Sequence, residues 1–226
     1  MTHPSSPAGR PRTVVAQQVP QTALAGFPAY RLDVRTVMHR AHLAGRGPWW
    51  FCSDGGGRFD LPVPGGTCYL ATDPAVAVRE RLGGVLGGAP FVPVSLLEDV
   101  VVSRLRVPGS RRLANLRVAR AADFGVTREL ESMTPYAVPQ AWACGLAGAG
   151  FEGVRYGPRF TPGAASSLAL FDEAGERPWP VDPAPTAAVD VPGVPRPMPV
   201  PARDELTVVR PPRTRTVRHQ AGGPRP

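Results

Sequence analysis

Residues 68–84 read CYLATDPAVAVRERLGG, and this stretch predicts a strand that runs directly into a helix. The first four residues, Cys68–Ala71, suit an extended strand whose side chains alternate between two faces. Asp73 can cap a helix over Pro74–Leu82, because the missing N–H of proline costs nothing at the first helical position. Gly83 follows the last helical residue and can end the helix in a left-handed turn.

The predicted helix carries one carboxylate in an unfavourable place. Ala75, Val78 and Leu82 form an apolar stripe at helical spacing, and Glu80 lies at the edge of that stripe. A carboxylate in the last turn opposes the helix dipole at a cost of a few tenths to about 1 kcal/mol. Residues that break a local rule are often functional. Glu80 is therefore a candidate site residue, and a surface ion pair with a neighbouring arginine is the structural alternative.

The rest of the chain mixes strands and helices without strict alternation. Sequence patterns predict strands over 36–43, 99–107, 153–156 and 167–171, an edge strand at 91–94, short helices over 111–124 and a helix over 135–149. The aromatic cluster Trp49-Trp50-Phe51 is expected to pack in the core. Such an order favours an α+β fold of mixed or antiparallel sheets with short helices over a doubly wound sheet.

Composition divides the chain into three parts. Residues 1–34 have little hydrophobic periodicity and predict a flexible leader, and residues 35–172 predict the folded domain. Residues 173–226 are rich in proline and arginine, which predicts a disordered tail. Within that tail, only Glu205–Val209 has the pattern of a strand or of a partner-binding segment.

The charge and cysteine content narrow the functional classes. The net charge of +8 comes from arginine, since the chain has no lysine, and the arginine-rich tail is expected to make at most weak contact with nucleic acid. Three widely spaced cysteines support neither a disulfide framework nor a zinc site. No apolar run is long enough to span a membrane. We expect a cytoplasmic protein without a bound metal.

Two further stretches offer candidate ligand-binding residues. The Gly55–Gly57 run matches neither a dinucleotide fingerprint nor a phosphate loop, and it predicts a flexible turn that presents Arg58. A guanidinium there can bind a pyrophosphate through two N–H groups.

On the strand over 36–43, Arg40 can reach a phosphate or form a structural ion pair. His39 and His42 would lie on opposite faces, which argues against a joint zinc site.

Several motifs, in order, resemble those of the RES domain family. They are Arg58 after the glycine run, Tyr69 in Tyr-Leu-Ala, Glu80 after Asp-Pro-Ala-Val-Ala-Val-Arg, and the segments 150–156 and 168–171. The resemblance implies a fold similar to that of ADP-ribosyltransferases. It also implies an enzyme that consumes NAD as its substrate and needs no cofactor. Members of the family include toxins that a separately encoded antitoxin protein neutralises.

The resemblance also assigns roles within the site. Glu80, Tyr69 and Arg58 are the implied catalytic residues, and Arg58, Tyr69, Arg40 and Arg159 the implied substrate-binding residues. Many family members carry a serine before the arginine at the position of Arg159, whereas this chain has proline there. The nearby hydroxyls are those of Thr161, Ser166 and Ser167.

Three functions stay open at this point. The first is cleavage of the nicotinamide–ribose bond of NAD by water or phosphate, as in the toxin of a toxin–antitoxin pair. The second is transfer of ADP-ribose to a protein. The third is a catalytically inactive RES-like module that binds a partner. A homodimer is also left open.

Overall fold

The computed structural model describes residues 16–86 and 92–199, which form an α+β fold, as the sequence predicts. The helices are α1 (Pro74–Leu82) and α2 (Ala137–Gly148). Short 3-10 helices occupy Gly83–Leu86, Val94–Leu96, Ala119–Phe124, Arg128–Glu131 and Ala188–Asp190. The strands are β1 (Ala29–Leu32), β2 (Met38–Leu43), β3 (Trp50–Phe51), β4 (Gly65–Ala71), β5 (Val92–Pro93), β6 (Val100–Leu105), β7 (Arg111–Asn115), β8 (Gly153–Tyr156), β9 (Ser167–Glu173), β10 (Gly175–Glu176), β11 (Thr186–Ala187) and β12 (Pro197–Met198).

Eight of these strands form one mixed sheet in the order β1-β7-β8-β9-β4-β2-β6-β11. The pair β7–β8 is parallel, and every other neighbouring pair in this sheet is antiparallel. The longest register joins β4 to β9, from Gly65 opposite Glu173 to Ala71 opposite Ser167. The strand that precedes α1 therefore lies in the middle of the sheet, with a partner on each side.

The strand–helix unit forms as the local sequence predicts. The Asp73 carboxylate accepts hydrogen bonds from the N–H groups of Ala75 and Val76, at 2.8 and 3.2 Å, and caps the start of α1. Gly83 follows the helix with φ of 55°, a backbone angle that favours glycine. The buried face is broader than the predicted stripe, and Ala75 is only half-buried. The buried helix residues are Val76, Ala77, Val78 and Leu82.

Hydrophobic side chains cover both faces of the sheet. On one side, Trp142 and Leu146 of α2 pack with Phe59 and Phe151. On the other side, a second cluster packs around Cys68 and Leu70 of β4. It consists of buried aromatic and aliphatic residues that include Trp49, Phe51, Met38, Leu105 and Leu168. Trp49 and Phe51 are buried as predicted, whereas the Trp50 side chain is 45% exposed.

The folded part extends beyond the predicted limits of residues 35 and 172. At the N-terminal side, β1 pairs with β7 along the edge of the main sheet. At the C-terminal side, Trp179 packs edge-on against Trp49, and Ala188 and Val191 are buried beside α1. The boundaries at 35 and 172 were therefore wrong, because proline content does not exclude packing through scattered apolar side chains. The predicted tail over 200–226, with Glu205–Val209, and the first 15 residues of the leader lie outside the described residues.

Residues 111–124 also differ from the prediction of short helices. Arg111–Asn115 form β7, which lies between β1 and β8 in the main sheet, and only Ala119–Phe124 are helical. The alternation of this strand is weak in the sequence. Its conformation depends on partners about 40 residues or more away along the chain, and tertiary pairing of this kind overrides local propensity.

The packing of Trp179 gives a test of the corrected boundary. Its ring centroid lies 4.9 Å from that of Trp49 and 5.5 Å from that of Phe51, and the Trp49 indole N–H donates to the carbonyl of Pro180 at 2.8 Å. We expect Trp179→Ala to lower the free energy of unfolding by about 2 kcal/mol, since the ring is half-buried. The matched control is Trp50→Ala, which removes an exposed ring and should cost less than about 0.5 kcal/mol. Equal denaturation midpoints for the two variants would place Trp179 outside the core.

Candidate active site

A cavity of about 350 Å³ lies between α1, the central strands of the sheet and the loops that precede β4 and follow β8. Its volume falls within the usual range for a small-molecule site. Polar side chains converge on it from elements that are far apart in the sequence. These are His39, Arg40, Arg58, Tyr69, Glu80, Arg81, Tyr136, Tyr156 and Ser167.

Glu80 enters the cavity from the last turn of α1. Its side chain is half-buried, and its Oε1 accepts a hydrogen bond from the N–H of Phe160 at 2.7 Å. Burial raises the pKa of Glu80, whereas the N–H groups of Phe160 and Arg159 and the charge of Arg58 act in the opposite direction. The carboxylate therefore faces the cavity and also holds the loop that follows β8.

Tyr69 lines the cavity from the middle of β4, with its hydroxyl already paired. This hydroxyl donates to Oδ1 of Asp60 at 2.7 Å and accepts from the N–H of Phe59 at 2.8 Å. Burial raises the pKa of Tyr69 well above its ordinary value, so the phenol is neutral. Because the hydroxyl is already paired, the ring is the surface that Tyr69 offers to a ligand.

Asp60 is a residue of the site that sequence reasoning missed. Its second oxygen, Oδ2, accepts from the N–H of Gly57 at 2.8 Å, so one buried carboxylate joins Tyr69 to the glycine-rich loop. A Cβ on Gly57 would collide with Asp60 and with the Tyr69 hydroxyl, which explains the glycine at this position. Burial raises the pKa of Asp60. The only signal in the sequence was an acid three residues after a glycine run.

Arg58 is held firmly, whereas the sequence predicted that a flexible turn presents it. The residue is 8% exposed, its Nη1 donates to the carbonyl of Met133 at 2.9 Å, and its guanidinium lies 5.1 Å from the ring centre of Tyr136. A guanidinium has five N–H groups, so this one can bind the carbonyl and still donate into the cavity. Burial, the largest influence, lowers the pKa of Arg58, and Glu80 is among the groups that raise it.

The two other arginines implied as substrate ligands are placed differently. Arg40 belongs to the cavity wall, but its Nη1 donates to the carbonyls of Pro48 and Trp50 and contacts Sγ of Cys68. Arg159 is exposed and lies over the ring of Phe160, beside a neighbouring cavity of about 230 Å³. The structure thus brings Arg40, Arg58, Tyr69 and Glu80 to one cavity, in which the Arg40 guanidinium is already bonded to backbone carbonyls. Arg159 lies beside the neighbouring cavity.

Tyr156, Ser167 and His39 also line this cavity. Sequence reasoning named Ser167 only as one of three hydroxyls near the missing family serine, and it gave Tyr156 and His39 no role in the site. Tyr156 is buried, and burial is the main cause that raises its pKa. Burial also lowers the pKa of His39. Strand register places these residues on the same face of the sheet as Tyr69, and the sequence alone carried no signal of that register.

Within residues 16–86 and 92–199, no cluster of histidine, cysteine, aspartate and glutamate is arranged to hold a metal ion. The helices of this part of the chain are also too short or too polar to cross a membrane.

Asp60→Asn tests the link between Tyr69 and the glycine-rich loop. Asparagine can accept one of the two hydrogen bonds, but its NH₂ group would face the Tyr69 hydroxyl or the Gly57 N–H as a second donor. We expect the free energy of unfolding to fall by about 1–2 kcal/mol. The control is Asp54→Asn, an exposed carboxylate of the same loop that caps the N–H of Gly56. Thermal melts of the two variants provide the measurement, and an unchanged midpoint for Asp60→Asn would contradict this role.

Comparison with known proteins assigns the chain to a family. The model of the RES domain family matches residues 29–213 of the chain. Among solved structures, the fold is similar to a chain in the crystal structure of the M. tuberculosis MbcT-MbcA toxin-antitoxin complex, with a TM-score of 0.50 and 16% sequence identity over 67% of this chain and 82% of that one. A search of curated proteins found no significant match. Because the family model spans most of the sequence, the chain belongs to the RES domain family.

Proposed function

We propose that this protein is an enzyme that consumes NAD by cleaving the bond between nicotinamide and ribose. The observation that carries the proposal is the convergence of Arg58, Tyr69 and Glu80 on one cavity of about 350 Å³. A buried guanidinium, an aromatic ring and a half-buried carboxylate match the three parts of the substrate that the reaction must hold. These parts are the pyrophosphate, the nicotinamide ring and the ribose.

In this mechanism each residue acts on a different part of NAD. Arg58 binds the pyrophosphate through its free N–H groups. The ring of Tyr69 stacks against the nicotinamide riboside and orients it. As the bond from ribose C1′ to nicotinamide nitrogen breaks, its electron pair stays on nicotinamide and positive charge develops on the ribose. The carboxylate of Glu80 stabilises that charge and orients the acceptor.

The acceptor completes the reaction. With water, its oxygen bonds to C1′, a proton is released to solvent, and the products are nicotinamide and ADP-ribose. With phosphate, the second product is phosphorylated ADP-ribose. With a protein side chain, the product is an ADP-ribosylated protein. We propose water or phosphate as the acceptor, and the identity of the second product distinguishes the three reactions.

We further propose that the enzyme acts as a toxin in the cytoplasm and that a separately encoded antitoxin protein neutralises it. Membership of the RES domain family and the similarity in fold to a protein from a toxin–antitoxin complex support this proposal. Its test is expression of the chain alone in a bacterial host. Growth should stop as cellular NAD falls, and a Glu80→Gln chain should permit growth.

The enzymatic proposal is tested by mixing the purified full chain with NAD and separating the products by chromatography. We expect nicotinamide and ADP-ribose, or its phosphorylated form when phosphate is supplied. If the folded protein releases no nicotinamide with water, phosphate or added protein as the acceptor, the chain is a binding module and the proposal is wrong.

A further inference from the structure

A row of four side chains crosses the floor of the cavity. Tyr156 on β8 lies opposite Ser167 on β9, Ser167 lies opposite Ala71 on β4, and Ala71 lies opposite His39 on β2. Directly opposite residues share one face of a sheet, so the four side chains lie side by side. All four line the cavity.

Two members of this row carry buried polar atoms that have no hydrogen-bond partner among residues 16–86 and 92–199. They are Oγ of Ser167, a residue only 2% exposed, and Nδ1 of His39. The Ser167 hydroxyl lies within reach of the neighbouring Tyr156 phenol but makes no hydrogen bond of normal geometry with it. An unpaired buried polar atom is unfavourable, and most such atoms in folded proteins are paired. Since both unpaired atoms belong to the same cavity floor, they indicate polar groups of a ligand.

The neighbouring hydroxyls do not offer the same contact. Oγ of Ser166 accepts a hydrogen bond from Nε of Arg155 at 3.2 Å. Thr161 has an unpaired hydroxyl, but it lines the smaller cavity beside Arg159. Among the three hydroxyls that follow Pro158, Ser167 is therefore the one that lines the site of Glu80.

The spacing of the row limits what kind of ligand can reach both atoms. Adjacent strands are about 4.8 Å apart, so Ser167 and His39, two strands apart, are separated by roughly 9–10 Å. Ala71 lies between them, and its small side chain leaves the floor open. An elongated ligand with one polar group at each end fits this floor, and nicotinamide riboside has this form, with ribose hydroxyls at one end and a carboxamide at the other.

The position of Glu80 sets the direction of the ligand. Glu80 accepts a hydrogen bond from the N–H of Phe160, four residues after Tyr156 at the end of β8, so the carboxylate is at the Tyr156 and Ser167 end of the row. We propose that Ser167 hydrogen bonds to a ribose hydroxyl and that His39 hydrogen bonds to the carboxamide of nicotinamide. This assignment rests on the proposed function and places both groups of the substrate along one line of the sheet.

The test measures two product affinities separately in the full chain. ADP-ribose and nicotinamide are titrated by calorimetry against the wild type, Ser167→Ala and His39→Phe. We expect Ser167→Ala to weaken ADP-ribose about threefold to tenfold and to leave nicotinamide unchanged. We expect the reverse for His39→Phe, which keeps a ring but loses both nitrogens. Neither variant should lower the melting temperature, because neither removes a hydrogen bond within the protein.

Ser166→Ala is the matched control. It removes a buried hydroxyl that has a partner, so it should lower the melting temperature and leave both affinities unchanged. Two results would overturn the assignment and leave the proposed function standing. In the first, both variants bind the two products as tightly as the wild type does. In the second, Ser167→Ala weakens the binding of nicotinamide and His39→Phe weakens that of ADP-ribose. Failure of the wild type to bind either compound would refute the proposed function and this assignment together.

Discussion

Glu80→Gln is expected to slow nicotinamide release by about a hundredfold or more. The carboxylate faces the cavity from the last turn of α1, where it would be the negative group beside the developing charge of the ribose. A preorganised electrostatic contact of this kind is typically worth roughly 2.7–4 kcal/mol in the transition state. Glutamine keeps the shape and the acceptor oxygen for the N–H of Phe160, but it has no charge. Initial rates at saturating NAD give the comparison.

The difference in stability between this variant and the wild type should depend on pH in a defined direction. Burial raises the pKa of Glu80 above its ordinary value of 4.5, so the folded chain holds this proton to a higher pH than the unfolded chain does. The wild type therefore loses stability as pH rises through the raised pKa. Glutamine does not ionise, so the variant should melt no lower than the wild type at pH 7. Any advantage should disappear below pH 4.5, where the acid is protonated in both states.

Glu131→Gln is the matched control for this substitution. Glu131 is also buried, and its Oε1 accepts from the backbone N–H of Gly157 at 2.8 Å, but it lies outside the lining of the main cavity. The control should release nicotinamide at close to the wild-type rate. A Glu80→Gln variant that keeps the wild-type rate, or one that unfolds, would make Glu80 a structural partner of the loop after β8.

Arg58→Lys is expected to lower kcat/KM for NAD by roughly tenfold to a hundredfold, the loss of one or two hydrogen bonds to a charged group. The guanidinium donates to the carbonyl of Met133, lies over the ring of Tyr136 and still has N–H groups for a pyrophosphate. The lysine ammonium is a single centre that cannot make all of these contacts. Steady-state kinetics should show the loss while the circular dichroism spectrum stays unchanged.

Arg155→Lys separates loss of substrate binding from loss of packing. The Arg155 guanidinium also lies over a tyrosine, at 4.5 Å from the ring centre of Tyr30, but the residue is not part of the cavity lining. Its replacement should change stability slightly and leave kcat/KM unchanged. Unchanged kinetics in Arg58→Lys, or an equal loss in both variants, would remove Arg58 from the substrate site.

The sequence by itself determined the β4–α1 unit and, with it, the placement of Tyr69 on the strand and of Glu80 in the last turn of the helix. The helix has the predicted bounds, Pro74–Leu82, with Asp73 as its cap and Gly83 after its end. Its start and stop depend on a few neighbouring residues, so they can be read without knowledge of the rest of the chain. The α+β class followed in the same way from the order of elements.

Only the tertiary structure decided which groups around Tyr69 and Glu80 are free to bind a ligand. The Tyr69 hydroxyl is paired with Asp60, and the Arg40 guanidinium is bonded to backbone carbonyls. Within the described part of the chain, Ser167 has a hydroxyl without a hydrogen-bond partner in the lining of this cavity. Strand register and packing set these pairings between residues far apart in sequence, as they also bring Trp179 and β1 into the fold. Local pattern shows which groups a residue offers, and contacts across the sheet determine which of those groups remain available.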